Sequence, residues 1–136
     1  MRSEKVKSLR PKLNLPLASE SSLLSFQNTV LRPILKLQDG ITLLLLKSSV
    51  NYKKQRQRLT SFTKEEYTSY LKDLLNRDKS LRNQVIGAIL GMMTIEEMKI
   101  YSGEKREINR RIVQMQIDRY VSHLSLIHIS EPTRPY

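Results

Sequence analysis

The sequence predicts an all-α protein, a small bundle of about five helices. Apolar residues recur at the three- and four-residue spacing of a buried helix face over most of residues 21–122. Two stretches carry the residue pattern of a capped helix start. No stretch shows the alternation of a half-buried strand. The 136 residues are enough for one domain with a single modest core.

The chain divides into three parts. Residues 1–20 contain Pro11 and Pro16, few apolar residues and more basic than acidic ones, so we predict a mobile basic arm. Residues 21–122 form the predicted helical domain. Residues 124–136 resemble the translation of a sequencing adapter, which would make this a truncated or fused reading frame. We therefore predict that residues 123–136 are an artefactual or disordered tail and set them aside.

The first predicted helix begins near Leu23, after serines that can cap it, and meets Pro33. Because proline lacks a backbone donor and clashes with the preceding turn, we predict a kink or restart there. Residues 41–46 form the most apolar run in the chain, interrupted only by Thr42. We expect other helices to surround this run at the centre of the core. Residues 51–61 are polar and basic and indicate a helix end followed by a loop.

Two later helix starts follow one pattern. Residues 62–67 and 93–98 both read apolar-Thr-x-Glu-Glu-apolar. The threonine can cap the helix while the second glutamate bonds back to the backbone of the threonine, and the flanking apolar residues can pack together. Between these starts, Asp78 follows an apolar stripe and is predicted to cap a new helix. After Gly103 a last helix is predicted from Glu104.

Several chemistries are excluded by composition. The chain has no Cys, so it has no disulfide, thiolate metal site or cysteine nucleophile. Its four Gly residues lie outside any glycine-rich phosphate loop. His123 and His128 are five apart, but the second lies in the suspect tail, so an accidental spacing is favoured over a metal site. The paired glutamates are explained by capping rather than by acid–base chemistry. We predict no catalytic, cofactor or metal site.

The basic character of the chain makes nucleic acid a possible partner. The formal net charge is +11, which favours contact with anionic partners. The candidate anion contacts fall in two sets, the first basic set being Lys53, Lys54, Arg56 and Arg58, and the second basic set being Lys105, Arg106, Arg110 and Arg111. Single-strand binding usually adds stacking aromatic residues, which neither tract interleaves. A solvated face is the commoner explanation of such tracts.

A further candidate motif or interface consists of Asn28, Arg32, Gln38 and Asp39. Arg32 and Asp39 flank an apolar helix, so they are candidates for a structural ion pair or for an interface contact. No apolar run approaches the ~20 residues that span a bilayer. Residues 1–20 also lack the continuous apolar segment of a secretory signal, so we predict a cytoplasmic protein.

Residues 26–38, with Phe62-Thr63, Arg82-Asn83 and the run 93–97, resemble a group of short bacterial proteins, mostly from Bacteroidetes, that are often labelled glyoxalase. The resemblance covers roughly residues 20–122 and is most specific at residues 31–38. The label implies a glyoxalase-type lyase. Metal-dependent glyoxalases of the paired βαβββ type hold a metal with His and Glu on strands. The body of this chain has one histidine, His123, and no predicted strand.

These observations lead to a ranked expectation of function. We expect a non-enzymatic intracellular protein that acts through protein–protein contacts, including self-association. The reasons are that no catalytic constellation remains and that the run 41–46 is too apolar for so small a domain to cover alone. The alternative is a nucleic-acid-associated protein that uses the two basic sets. The glyoxalase-type lyase is the weakest of the three.

Overall fold

The computed structural model describes residues 4–6 and 22–124, and all regular structure within these residues is helical. The predicted all-α class is therefore confirmed. Residues 4–6 are helical, and Val6 is buried. The rest of the predicted basic arm, and the predicted tail after Leu124, lie outside the described residues.

Residues 22–124 contain nine α-helices and one π-helical segment. In chain order they are α1 (Ser22–Phe26), the π-helical segment (Gln27–Leu31), α2 (Arg32–Leu37), α3 (Asp39–Ser48), α4 (Val50–Lys54), α5 (Arg56–Leu59), α6 (Lys64–Arg77), α7 (Lys79–Leu90), α8 (Ile95–Gly103) and α9 (Lys105–Ser122). The prediction of about five helices is thus an undercount.

The additional helices come from breaks in residues 22–59. The backbone leaves helical geometry at Gln38 (φ −91°, ψ 11°) and Gln55 (φ −97°, ψ 6°), and it is extended at Ser49 (φ −68°, ψ 145°). The Ser49 hydroxyl accepts a hydrogen bond from the backbone N–H of Tyr52 at 3.2 Å and so caps α4. The loop predicted within residues 51–61 is wrong for most of its length, because α4 and α5 occupy it. A break of a single residue cannot be recognised from apolar periodicity, because that pattern is assessed over a window of many residues.

The π-helical segment ends two residues before Pro33. The backbone N–H of Arg32 donates to the carbonyl of Gln27, five residues earlier. Pro33 follows as the second residue of α2, and because it has no N–H it cannot donate to the backbone hydrogen-bond ladder of the preceding turn. The kink expected at Pro33 stays a prediction.

The predicted helix caps of the second half are confirmed. The Thr63 hydroxyl accepts from the backbone N–H of Glu66 at 3.2 Å, and the carboxylate of Glu66 accepts from the N–H of Thr63 at 2.7 Å. Thr94 and Glu97 form the same reciprocal pair at 3.1 and 2.9 Å. Asp78 caps α7 by accepting from the N–H of Leu81 at 3.0 Å. These local bonds fix where α6, α7 and α8 begin.

Helix α9 is the centre of the bundle. It packs against α6, α7 and α8. From Ile112 onward the exposed residues are confined to the stripe of Gln114, Asp118 and Ser122. The buried residues of this part are Ile112, Val113, Met115, Gln116, Ile117, Tyr120 and Val121. Its arginines and glutamines make this helix look no more apolar than an ordinary surface helix, which is why its central position is not evident from the sequence.

The expectation that residues 41–46 form the centre of the core is wrong. Helix α3 packs mainly on α7 and buries only Thr42 and Leu46 completely. Ile41 and Leu44 on its other side are 51% and 65% exposed. An apolar run shows that burial would be favourable, but the arrangement of the other helices decides which of its faces is covered. None of the described helices is long and apolar enough to cross a membrane.

Candidate functional site

Asp39, a residue of the predicted motif, joins the start of α3 to the end of α9. Its Oδ1 accepts a hydrogen bond from Arg119 Nε at 3.0 Å, and its Oδ2 lies 2.7 Å from His123 Nε2. One turn further along α3, the Tyr120 hydroxyl donates to the carbonyl of Thr42 at 2.7 Å. The side chains of Asp39, Arg119 and His123 are all mostly buried. These contacts make Asp39 a structural residue that fixes the direction of α3.

The other three motif residues also bond within the chain. Gln38 Nε2 donates to the carbonyl of Ala88 at 3.0 Å and so ties the α2–α3 junction to α7. Arg32 Nη2 donates to Asn28 Oδ1 at 3.3 Å. The motif therefore acts in large part by positioning α2 and α3.

Arg32 also lines a cavity of about 270 Å³ between α2 and α9. The remaining lining residues are Gln27, Leu35, Met115, Asp118, Arg119 and Ser122. Its charged groups are largely engaged, since Arg119 pairs with Asp39 and Asp118 accepts from Gln114. The Ser122 hydroxyl donates to a backbone carbonyl at 2.6 Å and is not presented as a nucleophile.

The second basic set is partly neutralised within the chain. Arg110 and Arg111 both bind Glu107, at 2.6 and 3.0 Å. The hydrogen bond from Arg110, followed by that from Arg111, lowers the pKa of the Glu107 carboxyl. Arg111 also donates to Gln27 at 2.7 Å. Lys105 and Arg106 are exposed in the first turn of α9. Two of the four cations of the second basic set are thus engaged with Glu107.

The first basic set contributes to a groove built from α4, α5 and α6. All four residues of the set are exposed, but only Lys54 and Arg58 line the groove, where Arg77 joins them. We call this the basic groove. It measures about 300 Å³, and its lining residues are Asn51, Lys54, Gln55, Arg58, Phe62, Tyr70, Asp73, Leu74 and Arg77. Lys53 and Arg56 lie outside the lining.

The fold adds two aromatic rings that the basic tract itself lacks. The Phe62 and Tyr70 rings meet nearly edge to face, with centroids 5.8 Å apart. The guanidinium carbon of Arg58 lies 6.0 Å from the centre of the Phe62 ring, at the outer limit of a cation–π contact. Sequence reasoning missed these rings because Tyr70 comes from α6. Only Phe62, four residues after Arg58, offered a signal in the sequence.

The electrostatics of the basic groove combine three cations with one carboxylate. Arg77 pairs with Asp73 at 2.7 Å, and both side chains are well exposed. Burial raises the pKa of Tyr70 to about 12, so its hydroxyl stays protonated near neutral pH. That hydroxyl lies 3.4 Å from the carbonyl of Asn51, a long contact that links the ring to α4. The groove thus offers fixed aromatic surface beside unneutralised positive charge.

A second candidate surface is the exposed apolar face of α3. Ile41 and Leu44 are three residues apart and therefore lie on one side of the helix. Leu45, four residues after Ile41, is partly buried beside them. Lys47, three residues after Leu44, is exposed at the end of this stripe. The surface is apolar in its middle and basic at that end.

Among residues 4–6 and 22–124, no three His, Asp or Glu side chains lie together in an arrangement that would hold a metal ion. The candidate surfaces are therefore the exposed face of α3 and the basic groove. Comparison of the chain with protein-family models, with curated proteins and with solved structures gives no match.

Proposed function

We propose that this protein acts through protein–protein contacts and self-associates through the exposed face of α3. The observation that carries the proposal is the exposure of Ile41 and Leu44, 51% and 65%, on one side of a single helix. Removing apolar surface from water favours association by about 25 cal/mol per Å². The two side chains, with Leu45 beside them, form a short stripe that a second helix can cover.

The geometry of α3 supports this use. The two polar contacts of Asp39 and the hydrogen bond from Tyr120 to Thr42 hold the first turn of the helix against α9. Leu46 is fully buried at the other end. A rigid helix presents its exposed side chains without first having to be ordered, which lowers the entropic cost of association.

A second copy of this chain is a suitable partner for the stripe. Two identical apolar stripes related by a twofold axis bury each other, and no other surface is needed. The net charge of +11 opposes the approach of two copies. Lys47 adds local repulsion at the end of the stripe. We therefore expect a weak dimer that forms more readily when salt screens the charges.

The test is light scattering with size-exclusion chromatography on the full chain, over a range of concentrations at moderate salt. The double variant Ile41→Ser/Leu44→Ser should remain monomeric under conditions in which the wild-type chain forms dimers. The matched control is Ile95→Ser/Ile100→Ser, which removes two isoleucines that are 55% and 52% exposed on α8. A wild-type chain that stays monomeric throughout, or an equal loss of dimer in both variants, would contradict the proposal.

A further inference from the structure

We propose that the basic groove binds single-stranded nucleic acid, with neighbouring phosphates held by Lys54 and Arg58 and a base placed against Phe62. This inference uses α4, α5 and α6 and does not depend on the exposed face of α3. It assigns a specific site to nucleic acid, the class of partner that the net charge of the chain suggests.

The cations of the groove converge from three separate helices. Lys54 ends α4, Arg58 lies in α5, and Arg77 ends α6. Positive charge at the carboxyl end of a helix is favourable by itself, which gives Lys54 and Arg77 a structural explanation. Arg58 lies in the last turn of α5 and shares that explanation, but its guanidinium also lies over the part-buried ring of Phe62. Arg58 uses one of the five N–H donors of its guanidinium group in a hydrogen bond to Gln55 at 3.0 Å.

The aromatic rings indicate a ligand that has flat faces as well as charge. Phe62 is partly exposed beside Arg58, so a base can stack on the ring or on the guanidinium plane. Tyr70 supports Phe62 from the side and is itself packed against Tyr52 and Tyr67, with ring centroids 6.3 and 6.5 Å away. The platform is therefore held in place before any ligand arrives.

Two features favour a single strand over a duplex or a simple polyanion. A groove of about 300 Å³ matches one or two nucleotides, and a duplex keeps the faces of its bases stacked inside, away from Phe62. The carboxylate of Asp73 lies in the same groove and repels a ligand that is only a chain of phosphates. A nucleobase carries N–H groups that can donate hydrogen bonds to such a carboxylate.

The first experiment is a fluorescence-anisotropy titration of the full chain against a labelled single-stranded oligonucleotide of mixed sequence, at low and moderate salt. Lys54→Gln/Arg58→Gln should weaken binding at least about tenfold and lower the salt slope by about 1.4, at about 0.7 per phosphate contact. The control Lys105→Gln/Arg106→Gln removes the same charge from exposed positions outside the groove. Equal losses in the two variants, or no binding by the wild-type chain, would overturn the proposal.

The second experiment separates bases from phosphates. Phe62→Leu should weaken binding of the oligonucleotide about tenfold, because stacking on an aromatic ring is lost. The same variant should bind inorganic polyphosphate as the wild-type chain does. A duplex of the same sequence should bind more weakly than the single strand. Equal binding of duplex and single strand, or an unchanged affinity in Phe62→Leu, would overturn base recognition.

The variant Lys54→Gln/Arg58→Gln also separates the test of nucleic-acid binding from the test of self-association. Lys54 and Arg58 are exposed, so their replacement should leave the helical circular-dichroism spectrum unchanged and should not weaken the dimer. If this variant loses nucleic-acid binding and keeps the dimer, the result supports the proposal for the basic groove. That support does not depend on whether the dimer forms through α3.

Discussion

Gln116 is the residue whose environment fits its chemistry least well. It is fully buried in α9, and neither its Oε1 nor its Nε2 atom has a hydrogen-bond partner among the described residues. A buried polar group without a partner loses its bonds to water and gains none in exchange, at a cost of about 1–3 kcal/mol. The central helix therefore carries a side chain that opposes folding.

The first prediction concerns this side chain. Gln116→Met keeps a similar shape and removes the unpaired amide, so it should raise the free energy of unfolding by about 1 kcal/mol. Chemical denaturation followed by circular dichroism measures the change. Gln114→Met is the control, because Gln114 is exposed two residues earlier on α9, and it should stay within about 0.5 kcal/mol of wild type. A lower stability of Gln116→Met would show that the amide has a partner.

Two buried tyrosines have phenol groups that resist ionisation. Burial, followed by the nearby Tyr52, raises the pKa of Tyr67 well above its ordinary value, and the two hydroxyls lie 3.2 Å apart. Burial, followed by the charge of Asp39, also raises the pKa of Tyr120. The unfolded chain should ionise near the ordinary tyrosine pKa of about 10. Above that pH the folded chain retains protons that the unfolded chain has lost.

The second prediction is a loss of stability at alkaline pH. The tyrosine contribution should be fully present below about pH 10 and should fall as the pH rises further, because the unfolded state is then the one that releases protons. Denaturant unfolding at stepped pH measures this slope, and Tyr67→Phe should make it shallower. Tyrosinate absorbance that rises near the ordinary pKa for all tyrosines, with the helical spectrum intact, would contradict the prediction.

At the scale of the helices, the two reciprocal Thr–Glu caps share a sequence pattern but differ in burial. Thr63 and Glu66 are exposed at the start of α6, whereas Thr94 and Glu97 are buried at the start of α8. The bond pattern is the same in both, at similar distances. Water can replace a lost bond at the first cap, but it has less access to the second.

The third prediction follows from that difference. Thr63→Ala should cost about 1 kcal/mol of unfolding free energy, the usual value for losing a cap. Thr94→Ala should cost about 2 kcal/mol, because buried backbone and carboxylate groups lose a partner. Chemical denaturation of the two single variants provides the comparison. Equal costs would mean that water reaches the second cap as easily as the first.

The sequence predicted the elements whose signals are local. The starts of α6, α7 and α8 depend on caps within four residues of Thr63, Asp78 and Thr94, and they were predicted correctly. The segmentation at Ser49 and the central position of α9 were missed, because they depend on single backbone breaks and on packing between distant helices. The basic groove was missed in part for the same reason, since Tyr70 reaches Phe62 only in the folded chain.

At the scale of the whole molecule, one property bears on both proposals. The net charge of +11 repels a second copy of the chain and attracts nucleic acid. The proposed dimer surface is apolar at Ile41 and Leu44, whereas the basic groove gathers Lys54, Arg58 and Arg77. Salt screens both effects, so it should act on the two surfaces in opposite directions.

The fourth prediction is that opposite response. Two phosphate contacts at about 0.7 each give a salt slope of about 1.4, so the single-strand affinity should fall about sevenfold between about 50 and about 200 mM salt. Over the same range the dimer should persist or strengthen, because screening weakens repulsion while burial of apolar surface is retained. Anisotropy and light scattering on one preparation follow both. A dimer that dissociates as salt rises would mean that charge pairs, rather than Ile41 and Leu44, hold it together; nucleic-acid binding indifferent to salt would mean that the cations of the groove do not carry it.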